Sequence, residues 1–473
     1  MQRFDVVIVG GGTAGCVLAA RLTEDPDRRV CLIEAGPDYG PLAEGRWPPD
    51  MLDARALPSS HDWGTGGEDE RSLGARVIGG CSAHNACCVL AGTPADYDAW
   101  GTGWTHADLE PYLRRARSEL RTGPANTGRP APFHASFLEA AQALGFPFLP
   151  DPDDAGHPVG VAPFPANAVE GIRWNTALAY LDPARERPNL TIRAETLVDR
   201  VLLDGSRASG VLTGEDRIDA ETVVLTAGAY FTPAILLRSG VGPEGQLAAH
   251  GIPVAEALPV GERLLDHVGS GAAWELSDDL QAATAAHDAE APMFEPHAVL
   301  KAASSSCPEG SWDLHFLSWT NPTESGRYEA SVGFFLMDAR STGRVRLRSN
   351  DPTDLPTIER GFFRDPADLP PLLEALDLLR RVAATEPLRG GLGAEKRPGD
   401  ADPDTYLRET ARNYFHPAGT CAIGAVVDGS ARVFGFDNLR VADASIIPTI
   451  PRANTNLTVV AVAERIADLL RAV

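Results

Sequence analysis

The clearest chemistry-bearing pattern in the chain is a glycine turn paired with a distant acid. Gly10, Gly12 and Gly15 spell G-x-G-x-x-G directly after the apolar run Asp5-Val6-Val7-Ile8-Val9 and open a helical stretch from Cys16 to Thr23. That context gives the motif a mechanism. The first glycine makes the tight turn, the second lets the backbone approach a pyrophosphate, and the third lets helix pack on strand. The amides of Thr13 and Ala14, at the helix N-terminus, then face the phosphate charge. Glu34, followed by Ala35, ends the second apolar run Val30-Cys31-Leu32-Ile33, 19 residues after Gly15. A carboxylate there accepts hydrogen bonds from a ribose diol and repels a 2′-phosphate, which disfavours NADP. The motif alone does not separate FAD from NAD. A second formal match, Gly240-Val241-Gly242-Pro243-Glu244-Gly245, follows the helical stretch Pro233–Arg238 and carries a proline where a helix should start. It reads as a helix stop and loop, so one dinucleotide site is expected, not two.

Three polar side chains in loops carry further chemistry. His416 lies in Asn413-Tyr414-Phe415-His416-Pro417-Ala418-Gly419-Thr420. Pro417 restricts His416 to an extended backbone and Gly419 permits close approach of the chain. Taken alone, a histidine in such a loop is either structural or a general base. Asn454, in Pro451-Arg452-Ala453-Asn454-Thr455-Asn456, is either a helix cap or a hydrogen-bonding group. His84, in Gly79-Gly80-Cys81-Ser82-Ala83-His84-Asn85-Ala86-Cys87, is either a loop histidine or a nucleophile.

These groups need elements to hold them. With 473 residues, the chain suits two to three domains, or one with a large insertion. An apolar fraction of 44% and a charged fraction of 23% indicate a globular protein rather than a disordered one. The net charge of −23 argues against nucleic acid and anionic lipid as partners. No apolar run is long enough to span a membrane and no signal segment precedes the first strand, while seven cysteines show no zinc-like spacing. No metal and a cytoplasmic location are therefore expected. After Glu34, residues 36–75 read as a long excursion. Strands return at 190–193, 197–203, 210–212 and 221–227, then at 331–337 and 344–348. Helices are expected at about 369–384 and 455–471. The fold class is α/β (α+β overall): a Rossmann-type domain assembled from residues 1–130, 188–268 and 405–473, with an inserted antiparallel-sheet domain from 131–187 and 269–404 for the substrate.

Residues 75–98 (ARVIGGCSAHNACCVLAGTPADYD), 228–242 (GAYFTPAILLRSGVG) and 414–459, from YFHPAGTC to NTNLTVV, join the N-terminal fingerprint in order along the chain. Together they resemble the glucose-methanol-choline (GMC) flavoprotein oxidoreductases, over residues 5–471. The resemblance implies that the dinucleotide is FAD, and the segment around His84 is most similar to the choline oxidase branch, in which that histidine is bonded covalently to the flavin. It also implies cofactor contacts from Gly79, Gly80, Ser82, Asn85, Ala86 and Cys87, from Val198 and Gly228, and from Asp443, Ala444, Thr455 and Asn456. His416 becomes the base that takes the hydroxyl proton and Asn454 the hydrogen-bond partner of the developing alkoxide, while a hydride passes from the carbinol carbon to flavin N5. The expected activity is oxidation of a primary alcohol to the aldehyde, with oxygen or another acceptor reoxidising the flavin. A homodimer is common in the family.

Some residues depart from the choline oxidase pattern. Ala86 stands where a serine is usual, Asp338 precedes the turn Ala339-Arg340-Ser341 where a histidine is usual, and Tyr414 replaces a small aliphatic residue and obstructs the approach of oxygen. A cation cage built from Phe294, Glu295, Trp312 and Trp319 is one way to hold choline, which is one candidate substrate among primary alcohols. The family also contains hydroxynitrile lyases, a non-redox alternative on the same FAD fold.

Overall fold

The computed structural model describes residues 3–64, 74–124, 130–290, 298–323 and 325–472. Its first sheet grows from the opening apolar runs. Strand Arg3–Val9 lies between Val30–Ile33 and Asp216–Leu225, parallel to both, and Leu190–Arg193 pairs with Val30–Ile33 to extend the parallel edge. Strands buried on both faces read as continuous apolar runs, and Val6 to Val9 and Val30 to Ile33 are all buried. Strand Asp216–Leu225 serves two neighbours on its other side. Its first residues pair antiparallel with Arg207–Thr213, and Val223 to Leu225 pair parallel with Leu439–Val441. The C-terminal segment thereby enters the same sheet as the N-terminus. Helix Thr13–Leu22 and the terminal helix Thr455–Arg471 cover it, with Val17, Leu18, Val460 and Val462 in one core.

The second sheet is antiparallel, in the order Leu392–Arg397, Val268–Leu276, Tyr328–Leu336, Leu314–Pro322, Ala298–Ala302, Gly160–Pro163. Side chains alternate across it, as the period of two requires. Leu314, Phe316, Phe334 and Leu336 face helices Pro132–Ala143 and Leu369–Ala383, whereas Leu317, Phe335 and Trp312 face the other way, toward the first sheet's C-terminal loops.

Several sequence-derived bounds shift by a few residues, and two differ in kind. The segment Ala177–Ala184, assigned to the inserted domain, packs into the core of the first sheet. Conversely, Leu407 packs into the second core, and Arg412–Asn413 pairs with Gly269 and Val268 of the second sheet. Tertiary packing, not local pattern, decides both. Pro243 also begins a helix after all, Glu244–Ala249, but that helix follows the C-terminus of Gly228–Arg238 and no strand, so it forms no pyrophosphate turn. No helix of the described residues is long and apolar enough to cross a membrane.

Candidate active site

The glycine turn has no room for side chains. A Cβ on Gly15 would sit 1.9 Å from the Gly10 carbonyl oxygen, and Gly10 itself has φ +106° with the Thr226 carbonyl 2.6 Å from its Cβ position. Only glycine fits both demands. The cap residue Gly12 supplies no side-chain hydrogen bond to the first turn of the helix. The amides of Thr13, Ala14 and Gly15 are thus left for an anion. A second glycine turn meets the first. Gly79 N–H donates to the Gly11 carbonyl at 2.8 Å, and a Cβ on Gly80 would lie 2.6 Å from Gly12 Cα. Together the two turns form a backbone-lined cradle that any larger residue would fill.

Glu34 closes the cradle. Its Oε2 accepts the Gly11 amide and its Oε1 the Gly36 amide, both at 2.8 Å. Each oxygen keeps a further lone pair. Burial raises its carboxyl to about 7, against the lowering effect of those two amides. Ala35 follows, with its carbonyl taken by Arg76. Val198 is buried in the same core, and Gly228, at φ +82°, starts the helix after strand Asp216–Leu225. Asp443 is engaged by hydrogen bonds within the protein. Its Oδ2 accepts from Gly228 N and Thr232 Oγ1, and its Oδ1 from Ser445 N and Oγ. The carboxylate ties its own turn to the start of helix Gly228–Arg238, while Ala444 follows it in the short turn Ala444–Ile446. Ser82 likewise bonds within the protein, to Gly79 O and Thr176. Asn85 accepts the Cys87 amide, and Ala86 packs against the core that faces the second sheet. His84 places Nε2 2.9 Å from the Ser60 carbonyl and 3.5 Å from Asp62, and burial lowers its pKa.

His416 and Asn454 come together from opposite ends of the C-terminal block. The segment before His416 runs antiparallel to residues 265–269: Asn413 opposes Val268, and Leu265 and Ala418 exchange both backbone hydrogen bonds at 2.9 Å. Asp266 Oδ1 accepts the His416 amide at 3.0 Å, and Gly419, at φ +80°, turns the chain away. Asn454 occupies the N-cap of the terminal helix, yet its side chain makes no capping bond. It turns instead toward His416, with Nδ2 3.4 Å from Nε2, and its Oδ1 is buried without a partner. Thr455 and Asn456 begin the helix beside it, and Asn456 Nδ2 is also buried and unpartnered.

Two further histidines share the site, and sequence reasoning missed both. His267 Nδ1 lies 2.9 Å from His416 Nδ1, and the His315 ring stands beside Tyr414 at a centroid distance of 5.7 Å. His267 had a signal: it follows the Asp266 carboxylate at the entry to a buried strand. His315 had only its register, opposite to Leu314 and Phe316. An amide N–H from Asn454 to His416 Nε2 requires the His416 proton on Nδ1, where it is donated to His267. Burial holds all three rings neutral, lowering His267 to about 3 and His315 and His416 well below the usual histidine value. Trp312 and Trp319 do lie on this face of the sheet, whereas Phe294 and Glu295 fall outside the described residues. Among the described residues no cluster of three or more His, Cys, Asp or Glu is arranged to hold a metal.

A parallel sheet with a pyrophosphate cradle, abutting a second sheet over a neutral imidazole and a carboxamide, defines a dinucleotide-dependent oxidoreductase. The chain belongs to the GMC oxidoreductase family: residues 4–269 match the N-terminal GMC oxidoreductase family model and residues 339–463 the C-terminal one. It is an FAD-dependent oxidoreductase acting on CH–OH donors. It is 33% identical to the mitochondrial choline dehydrogenase of Mus musculus, over 99% of this chain and 90% of that protein. To the oxygen-dependent choline dehydrogenase of Paraburkholderia phymatum it is 34% identical, over 99% and 93%. Among solved structures, pyridoxine 4-oxidase from Mesorbium loti superimposes with a TM-score of 0.87 at 27% identity, covering 99% of both chains. The cradle and the unpartnered polar atoms of Asn454 and Asn456 fit FAD at this site.

Proposed function

We propose that His416 and Asn454 are the catalytic residues of alcohol oxidation, with the first sheet holding FAD through its glycine turns, Glu34, Gly228 and the segment Ala444, Thr455 and Asn456, and the second sheet enclosing a primary alcohol. Bound FAD supplies the acceptor for the hydride of the carbinol carbon. His416 Nε2 takes the hydroxyl proton, and its neutral ring is ready to do so across the physiological range. As positive charge develops on His416, Nδ1–H strengthens its bond to His267 Nδ1. The Asn454 carboxamide steadies the alkoxide oxygen from the other side. A single observation carries this reading: an N-cap asparagine whose side chain leaves its helix and turns to a buried neutral imidazole. The relatives described above are named dehydrogenase or oxidase, which lends nothing to a hydroxynitrile-lyase alternative.

Anaerobic mixing of the purified yellow protein with an alcohol, followed at the flavin absorbance, tests the assignment. His416→Ala is expected to slow bleaching about 10²- to 10⁴-fold and Asn454→Ala about 10²- to 10³-fold, with FAD content retained. Unchanged bleaching in His416→Ala would refute it. A covalent bond from His84 to the flavin is supported by its environment. With Nε2–H donated to the Ser60 carbonyl, the neutral ring keeps its lone pair on Nδ1. Acid precipitation reads this directly: yellow colour stays in the pellet if the bond exists and leaves with the supernatant if it does not. Seven free thiols, none in a disulfide, suit a reducing compartment and support a cytoplasmic location.

A further inference from the structure

One ring stands beside both members of the His416–Asn454 pair. Tyr414, two residues earlier, stacks on Phe335 with centroids 3.8 Å apart and planes 6° from parallel. It stands 4.2 Å from the His416 ring and 5.7 Å from that of His315. Both ends of Tyr414 are fixed. Its backbone amide donates to the His267 carbonyl at 3.0 Å, and its hydroxyl lies 3.4 Å from His315 Nδ1, beside the Asn454 carboxamide. A side chain so held does not swing aside for a bulky ligand. Behind it, Trp312, Met337 and Leu317 are closely packed, and buried cores resist added volume.

The rings themselves carry no charge, while Lys301 and Arg452 bear on His315 and His267 as cations. His267, His315 and His416 are held neutral by burial, as is the Tyr414 hydroxyl. The nearby carboxyl, Asp266, accepts the His416 amide at Oδ1, and burial raises its pKa to about 7. The only Lys or Arg on the inner face of strand Ala298–Ala302 is Lys301, a cation set over the Trp312 ring at 5.1 Å. An ammonium head entering here would lose its hydration beside the cations Lys301 and Arg452.

We propose that Tyr414 sets the size of the alcohol pocket and that the substrate is a compact, uncharged primary alcohol. This rests on the alcohol-oxidation reading of the His416–Asn454 site. Stopped-flow flavin reduction of the FAD-loaded protein under anaerobic conditions, with ethanol, 1-propanol, benzyl alcohol and choline, tests it. In the native enzyme, 1-propanol is expected to exceed both benzyl alcohol and choline by about tenfold or more in reduction rate per unit concentration. Tyr414→Val should raise the benzyl-to-propanol ratio by about tenfold or more, since a few methylenes of pocket space change selectivity by roughly 10- to 200-fold each. Tyr414→Phe, which keeps the ring, should leave that ratio within about threefold. Choline or benzyl alcohol as the best native substrate, or an unmoved ratio in Tyr414→Val, overturns the proposal while leaving alcohol oxidation intact. Should Tyr414→Val not fold, the native substrate order decides alone. Reduction by none of the alcohols defeats the catalytic reading itself, and this proposal with it.

Discussion

At the scale of the residue, the site works by keeping charge out until the reaction needs it. His416 is buried, so its pKa falls well below the usual 6.5. The acid limb of kcat/KM, which reports the base of the free enzyme, is accordingly expected below pH 6.5. A pH profile of anaerobic flavin reduction measures it. The sequence placed His416 and Asn454 as candidates but left each with a structural reading. The terminal helix settles the local question for Asn454, because a capping side chain would accept a helix amide and this one does not. The pairing of His267 with His416 was not legible, because the two lie 149 residues apart in the chain.

At the scale of the element, the cradle depends on junctions more than on strands. Asp443 sits where strand Leu439–Val441 ends, and accepts four donors from residues 228, 232 and 445. Asp443→Ala would strand these donors in a buried setting at about 1–3 kcal/mol for each one left unsatisfied. A lowered denaturation midpoint and weakened FAD retention are the expected outcome, read by thermal unfolding and by flavin content after gel filtration. Asp443→Asn, which keeps one acceptor oxygen, should lose less. The resemblance led to the expectation of a cofactor contact at Asp443. What the sequence could not show is that the carboxylate reaches a helix start 215 residues away.

Across the whole molecule, the loop carrying Asn454 is pinned to both halves. Arg452 pairs with Asp96, which is 4% exposed at its side chain, and with Asp338 at 2.7 Å, which is 59% exposed. Burial decides which contact matters. Removing one partner of a buried pair costs about 3–5 kcal/mol, whereas an exposed pair contributes about 0–1 kcal/mol. Asp96→Asn should therefore lower the urea midpoint and slow flavin reduction, while Asp338→Asn should leave both nearly unchanged. Denaturant titration of the two variants beside the native enzyme makes the comparison. The terminal helix is held further by Glu464, fully buried between Arg21 and Arg115.

The sequence by itself determined the parts that depend on near neighbours. A buried strand, a glycine turn, a helix and an acid within 34 residues require a dinucleotide fold, because each feature is enforced by local sterics and apolar periodicity. Where segments far apart along the chain settle against one another was decided only in three dimensions. That covers the placement of 177–184 and 403–413, the meeting of His267 with His416, and the stacking of Tyr414 on Phe335. Local pattern records which face of an element is apolar, but not which other face it will meet. That choice is made by side-chain volume and unpaired polar groups when the core closes.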